Sequence, residues 1–314
     1  MNARHLCHGL LLSTLGLASV VAATPPAEIG VAGTTAFPES LTSTPDGTVY
    51  IGGAGSRLIY RAKPGEATAQ PWVLPGAEDA GTLGVFADAK ARTLWSCGRP
   101  GGGAGQPTVP STLRSFDLAT GLPKARYPLP TAGGTCNDIA IGKDGAVYAT
   151  DTSNMEVVRL ARGAKALEVW AGDGAFGPKG GVLDGIAVLG NRVIVNTLAT
   201  SKLFAIPVAS RGAAGPVTEI KLDRPVDRPD GMRSHGNDSL LVAESGNGGR
   251  VSLVVISGDT GKRTVLKEGF PGGPVAVTAV GDTVYVLEGQ LALLRDPKAR
   301  PAPFKATAVP VGKR

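Results

Sequence analysis

One phrase recurs six times along this chain: a short apolar strand, a polar turn carrying Gly, Asp, Asn or Lys, and a second strand of alternating β-formers. The copies are TSTPDGTVYIGG, ADAKARTLWSCG, AIGKDGAVYATD, AVLGNRVIVNTL, RSHGNDSLLVAE and TAVGDTVYVLEG. Alternation at a period of two, interrupted by turn residues, is a hairpin signature. The central residues of the second strands are Tyr50, Trp95, Tyr148, Val195, Leu241 and Tyr285, spaced 44 to 53 residues apart. A third strand follows most copies (RLIYRA, STLRSFDL, EVVRLA, KLFAIPV, VSLVVI, LALLRD). One such unit cannot bury its own faces, and stacked units close into a ring. The period therefore predicts an all-β, six-bladed β-propeller. A two-sheet sandwich would account for the strands but not for their regular spacing. The longest interval absorbs a Gly/Pro insertion, GRPGGGAGQPTVPS, in blade 2. The sixth copy is short of strands, and either the segment after Ala23 or FKATAVPV near the C-terminus completes it.

The first 23 residues stand apart from this pattern. A weakly basic start, the apolar run LLLSTLGLASVV and small residues at Val21-Ala22-Ala23 read as a secretory signal peptide over 1–23. The run falls short of the roughly 20 residues a bilayer span needs, and no later segment reaches that length. Residues 24–314 are then expected to form a single propeller domain, exported to the periplasm or secreted. The 45 glycines and 24 prolines agree with many turns and few long helices. Without Arg4, 31 basic residues face 26 acidic ones, scattered along the chain and without aromatic interleaving. That distribution describes a solvated surface and argues against a nucleic-acid partner. Cys97 and Cys136 survive processing. In an oxidising compartment they can form one disulfide across adjacent blades, with two buried thiols as the alternative.

Eleven residues before each second-strand centre stand Glu39, Gly84, Asn137, Asp184, Asp230 and Pro274. In a propeller, equivalent residues at the start of the innermost strands face one another across the axis. Three carboxylates and an amide gathered there repel unless a cation sits among them. All offer oxygen, which suits a hard ion; calcium is the first choice and magnesium the second, and zinc is disfavoured. Taken singly, Asn137, Asp184 and Asp230 also read as turn residues capping a strand. Glu39 does not, because Glu is a poor turn-former and is rarely buried alone.

These residues carry a resemblance. PES at 38–40, CNDI at 136–139, LDGI at 183–186 and RPDGM at 228–232, set in the blade phrases, resemble the SMP-30/gluconolactonase/luciferin-regenerating-like family of six-bladed propellers. The resemblance implies metal positions at Glu39, Asp184 and Asp230, a metal or substrate position at Asn137, and a base or nucleophile in Asp230. It also implies a divalent-cation lactonase or esterase acting on a small molecule. Two positions depart from the family pattern: Asp184 stands where Asn is usual, and Thr135 where sugar-lactone members commonly place Arg. Asn137 would orient the carbonyl or the attacking water. Asp151, Asn154, Glu244, Asn247 and Glu288, just past the second strands, are the expected substrate-binding rim, with the insertion at 98–110 as a partial lid. His235, the one histidine outside the leader, reads as a surface residue. The rival reading is a non-catalytic, metal-stabilised propeller that binds a ligand or partner; a hydrolase of organophosphate-like or aryl esters is a third. A monomer is the expected state.

Overall fold

The structure, a computed structural model, describes residues 24–74, 80–101, 109–296 and 298–311. The predicted leader (1–23) and the central part of the blade-2 insertion (102–108) lie outside the described residues. A short strand, β1 (Glu28–Val31), opens the described chain, and four strands follow as a first antiparallel unit: β2 (Pro38–Ser43), β3 (Val49–Gly53), β4 (Ile59–Ala62) and β5 (Thr68–Val73). The same meander repeats as β6 (Gly81–Asp88), β7 (Thr93–Arg99), β8 (Thr112–Asp117) and β9 (Pro123–Pro128). A third copy is β10 (Cys136–Ile141), β11 (Val147–Asp151), β12 (Glu156–Leu160) and β13 (Glu168–Ala171). A fourth comprises β14 (Leu183–Leu189), β15 (Arg192–Thr197), β16 (Lys202–Pro207) and β17 (Thr218–Leu222). The fifth holds β18 (Pro229–His235), β19 (Ser239–Glu244), β20 (Arg250–Ser257) and β21 (Thr260–Glu268). Last come β22 (Pro274–Val280), β23 (Thr283–Glu288) and β24 (Lys305–Pro310), with β1 as the fourth strand of that unit. Two short parallel pairings, β1 with β5 and β17 with β21, join neighbouring units into eight-stranded sheets. No helix among the described residues is long and apolar enough to cross a membrane.

Hairpin turns form where the sequence phrase puts them. Asp46 and Asp144 accept the backbone N–H two residues on, and Gly47 and Gly145 supply the left-handed backbone (φ 91° and 81°) that closes the turn. The first strand of each unit packs against the first strand of the next, and β22 returns to β2. The fold is therefore an all-β, propeller-like ring. Its core is divided: among the described residues each of the six apolar clusters sits between two consecutive units, as where Tyr148 and Val157 meet Ile186 and Phe204. Both faces of the inner strands are thus covered, and strands such as β3, β11 and β19 are buried from end to end.

The two completions expected as alternatives for the sixth copy are both present, β24 from the C-terminal segment and β1 from the segment after Ala23. LALLRD, expected as a third strand, instead begins with a single 3₁₀ turn, Leu291–Leu293. The outermost strands β5, β9, β13, β17 and β21 escape the sequence reading. They are largely exposed, so their side chains lack the apolar alternation that marks the inner three.

Cys97 of β7 and Cys136 of β10 form a disulfide across 39 residues inside the apolar cluster between the second and third units. The double variant Cys97→Ala/Cys136→Ala is expected to lose about 2–4 kcal/mol. A lowered urea midpoint, with a somewhat larger m-value because the uncrosslinked denatured chain exposes more surface, would register that loss.

Candidate metal centre

In each unit the ladder between the first two strands slips near the start of the first. The slip falls between Pro38 and Ser40, Cys136 and Ile139, Leu183 and Ile186, and Pro229 and Met232. A bulge of this kind releases one residue from pairing and re-aims its side chain. The released residues are Glu39, Asn137, Asp184 and Asp230. Their approach is strained: Phe37, Val182 and Arg228, each two positions before a carboxylate, adopt φ of 38°, 59° and 51°. Such backbone costs on the order of 1–3 kcal/mol per non-glycine residue and persists only where surrounding structure holds it.

The pairing corrects two stations of the ring. Cys136 pairs with Asp151, fifteen residues on, but Thr82 pairs with Gly98, sixteen on, and Pro274 with Glu288, fourteen on. Turn lengths differ by one residue, so a constant offset from the second strand drifts. The residues equivalent to Asn137 are Leu83 and Val275, not Gly84 and Pro274. In the fourth unit Ile194, not Val195, matches Tyr148, and the two shifts cancel at Asp184. Gly84 has a different duty. A Cβ there would lie 2.1 Å from the Asn137 carbonyl oxygen, so only glycine allows the third unit to approach.

Oxygens of Glu39, Asp184 and Asp230 lie within 4.8 Å of one another. All three residues and Asn137 are buried, at 6–8% exposure. Glu39 Oε2 and Asn137 Oδ1 are buried without a hydrogen-bond partner. Two unit charges at this separation repel by about 3 kcal/mol at an effective dielectric near 20. Burial and mutual repulsion favour their protonated forms. Burial pushes Glu39 well above the usual carboxylate range; Asp184 and Asp138 add to the shift and the Arg233 guanidinium opposes it. Burial, then the charge of Asp138, raises Asp184 to about 7, against a hydrogen bond from the Asn137 amide. Asp230 is likewise pushed well up by burial, then by Asp184 and Glu39.

The backbone groups freed by the bulges are satisfied from the neighbouring strand. Thr150 Oγ accepts from Asp138 N (3.0 Å) and donates to the Asp184 carbonyl (2.6 Å). Asn196 accepts from Gly185 N (3.1 Å) and donates to the Asp230 carbonyl (2.6 Å). Thus the second strand of one unit holds the carboxylate-bearing residue of the next in place. Beside the carboxylates lies an ion pair that sequence reasoning missed. Arg233 Nη1 donates to both oxygens of Asp138 (2.8 and 3.1 Å), and Nη2 donates to Leu41 O (3.2 Å) and Val85 O (3.1 Å). One side chain from the fifth unit therefore ties the first, second and third together across the axis. The available signal was a second acid in the buried strand CNDI and an arginine in PDGMR.

The expected rim residues divide. Asp151 is fully buried, and its oxygens accept from Thr135 N (2.9 Å) and from the Asn154 backbone (3.2 Å) and amide (2.9 Å). Both residues brace a loop instead of facing a ligand. Glu244 is also fully buried, paired with Arg263 Nε at 2.9 Å, bonded to Ser252 and accepting from Asp227 N at 2.6 Å. Asn247 is exposed and donates to Asp227. A carboxylate at the end of a second strand is here consumed by the loop beside it, which strand position alone does not reveal. Glu288 is the one of the five that lines a cavity of about 900 Å³ onto which Asp230 opens. His235 ends β18 at the opposite end from Asp230 and is partly exposed.

The same fold occurs in solved structures. A gluconolactonase from Xanthomonas campestris superposes with a TM-score of 0.62 at 16% identity, covering 88% of this chain and 87% of that one. A luciferin-regenerating enzyme gives a TM-score of 0.64 at 10% identity, over 90% and 94% of the two chains. The chain has the propeller fold of the SMP-30/gluconolactonase family. Virginiamycin B lyase from Staphylococcus aureus is similar as well, with a TM-score of 0.61 at 17% identity over 83% and 80%. No protein-family model and no curated protein matches the chain. At these identities the likeness speaks for the propeller fold, and the chemistry has to come from the carboxylates.

Proposed function

We propose that the chain is a six-bladed propeller, exported as a monomer, that hydrolyses a lactone or related ester with a divalent cation held by Glu39, Asn137, Asp184 and Asp230. The observation that carries this reading is the buried carboxylate triad with two unpartnered oxygens beside it, Glu39 Oε2 and Asn137 Oδ1. Buried acceptors without donors, converging on one point, are what a cation satisfies. Four oxygen donors and no sulfur or imidazole favour calcium, then magnesium. The disulfide and the leader-like 1–23 support an oxidising destination.

A bound cation would supply a Lewis acid for the substrate carbonyl. The chain's own groups do the rest. Asp230, the one triad member on the cavity wall, takes the proton of the attacking water. The Asn137 amide orients the substrate. Glu39 and Asp184, which do not line the cavity, keep the site's charge and shape. Water adds to the acyl carbon, the acyl C–O bond breaks, and the departing oxygen takes the proton from Asp230 and leaves as a hydroxyl.

The lyase neighbour suggests elimination instead, but one of its solved forms is described as inactive after a histidine is exchanged for alanine. Here His235 lies at the far end of its strand, which favours hydrolysis.

Cation dependence is readable in stability as well as turnover. The triad carboxyls all have raised folded pKa values, so above about pH 4, and for Asp184 up to about pH 7, the native state holds protons that the unfolded chain has released. Their contribution to metal-free stability is therefore present in acid and declines as pH rises, the Asp184 share being lost through about pH 7. Calcium at about a hundredfold over its Kd should raise Tm by on the order of 4–5 °C at pH 8, and by less at pH 5. Hydrolysis of a lactone and aryl-ester panel should vanish with chelator and return with calcium. An unmoved Tm at pH 8 sinks the metal centre; calcium binding without turnover across the panel favours a scaffold.

A further inference from the structure

The cavity over Asp230 is walled mainly by apolar side chains, among them Leu198, Val275, Leu291 and Leu293. Its polar groups are largely committed to the protein. Gly272 N donates to Glu288 Oε1 at 2.7 Å. Both ends of the Gln290 amide bond the Ala302 backbone at 2.9 Å. Lys305 Nζ is paired with Glu28 at 2.5 Å, and Ser245 Oγ donates to the Arg228 carbonyl at 3.1 Å. Arg228 has an exposed side chain and no carboxylate within ion-pair reach among the described residues. Among the charged groups on this wall it is the one for which no ion pair or side-chain hydrogen bond is found among the described residues.

We infer that the substrate is a lactone or ester with an apolar body, such as an alkyl-substituted lactone, and not a polyhydroxylated sugar lactone. The inference rests on the hydrolase reading above and adds the substrate class. Each sugar hydroxyl must give up its hydrogen bonds to water on entering, and this wall offers almost no replacements, so a hydroxyl array is penalised. Alkyl carbons displace water from Leu198, Leu291 and Leu293 and gain from burial. A volume of about 900 Å³ leaves room for a chain of several carbons beyond the ring.

The test is kcat/KM of the calcium-loaded full chain on γ-lactones with progressively longer alkyl chains, from γ-butyrolactone to γ-dodecalactone, beside D-glucono-δ-lactone. The expected result is a rise of up to about fourfold per buried methylene until the cavity is filled, with the sugar lactone at least tenfold poorer than the best alkyl lactone. Leu293→Asn and Leu198→Asn should each lower kcat/KM for the longest chains by about tenfold more than for γ-butyrolactone, and preserve calcium binding. A flat chain-length series, or glucono-lactone as the better substrate, overturns the apolar-substrate inference while the hydrolase stands. No turnover of any lactone or ester by calcium-loaded protein removes the hydrolase reading and this inference with it.

Discussion

Asp230→Asn is expected to lower kcat by about 10²–10⁴-fold while making the metal-free protein more stable at pH 8. The loss follows from position. Asp230 is the triad carboxylate that reaches the cavity, so the substitution removes the proton acceptor and one charge from the cation site. The gain follows from burial. Three carboxyls within 4.8 Å of one another, in a pocket that raises the pKa of each, are a strained set when no cation is bound. Asn has nearly the same shape and can still accept the bond that Gly231 N gives to Asp230 Oδ1 at 3.0 Å. Packing is thereby retained while repulsion from Asp184 and Glu39 is removed. Calorimetry should show a higher metal-free Tm and a weaker calcium isotherm, and the lactone assay should show the collapse in kcat. A variant that keeps full activity would remove Asp230 from the chemistry. One that loses both activity and metal-free stability would make its role structural.

Arg233→Met should destabilise the fold by about 3–5 kcal/mol, because it leaves the Asp138 carboxylate buried without its cation. Asp138 and Arg233 are 4% and 8% exposed, too little for water to take the guanidinium's place. The same side chain also donates to Leu41 O and Val85 O, so the substitution strands carbonyls in two other units. Arg233→Lys should fall between wild type and Met. A single ammonium can meet Asp138, but it cannot fork to both carbonyls. In Arg233→Met/Asp138→Asn the orphaned charge is gone, and part of the loss should return as a favourable coupling in a double-mutant cycle. Denaturant midpoints measure the four proteins of the cycle (wild type, Arg233→Met, Asp138→Asn and the double variant) and Arg233→Lys beside them. If the single variant loses less than about 1 kcal/mol, Asp138 has another partner and the axial pin is refuted.

Glu39, Asn137, Asp184 and Asp230 were legible because each is the local product of its own unit: an apolar strand interrupted by one oxygen-bearing side chain before a hairpin. Glu39 was the clearest of them, since a buried Glu with no turn to cap asks for a counter-charge. Asp151 and Glu244 misled for the converse reason. They occupy the strand end where a rim residue belongs, but Thr135 N and Asn154 take one, and Arg263, Ser252 and Asp227 N take the other. Such bonds reach across loops whose course is not written in any one repeat.

By itself the sequence determined the all-β class, the hairpin period and which side chains could meet at the strand starts. A period of two and turn chemistry act within a few residues. Only the tertiary structure decided the rest. It matched stations through bulges, replacing Gly84 and Pro274 with Leu83 and Val275, and it used both chain ends to complete one unit. It also brought Arg233 onto Asp138 across 95 positions of chain. Closing a ring fixes the distance between units that share no local signal, and buried charge then selects the partners that come within reach.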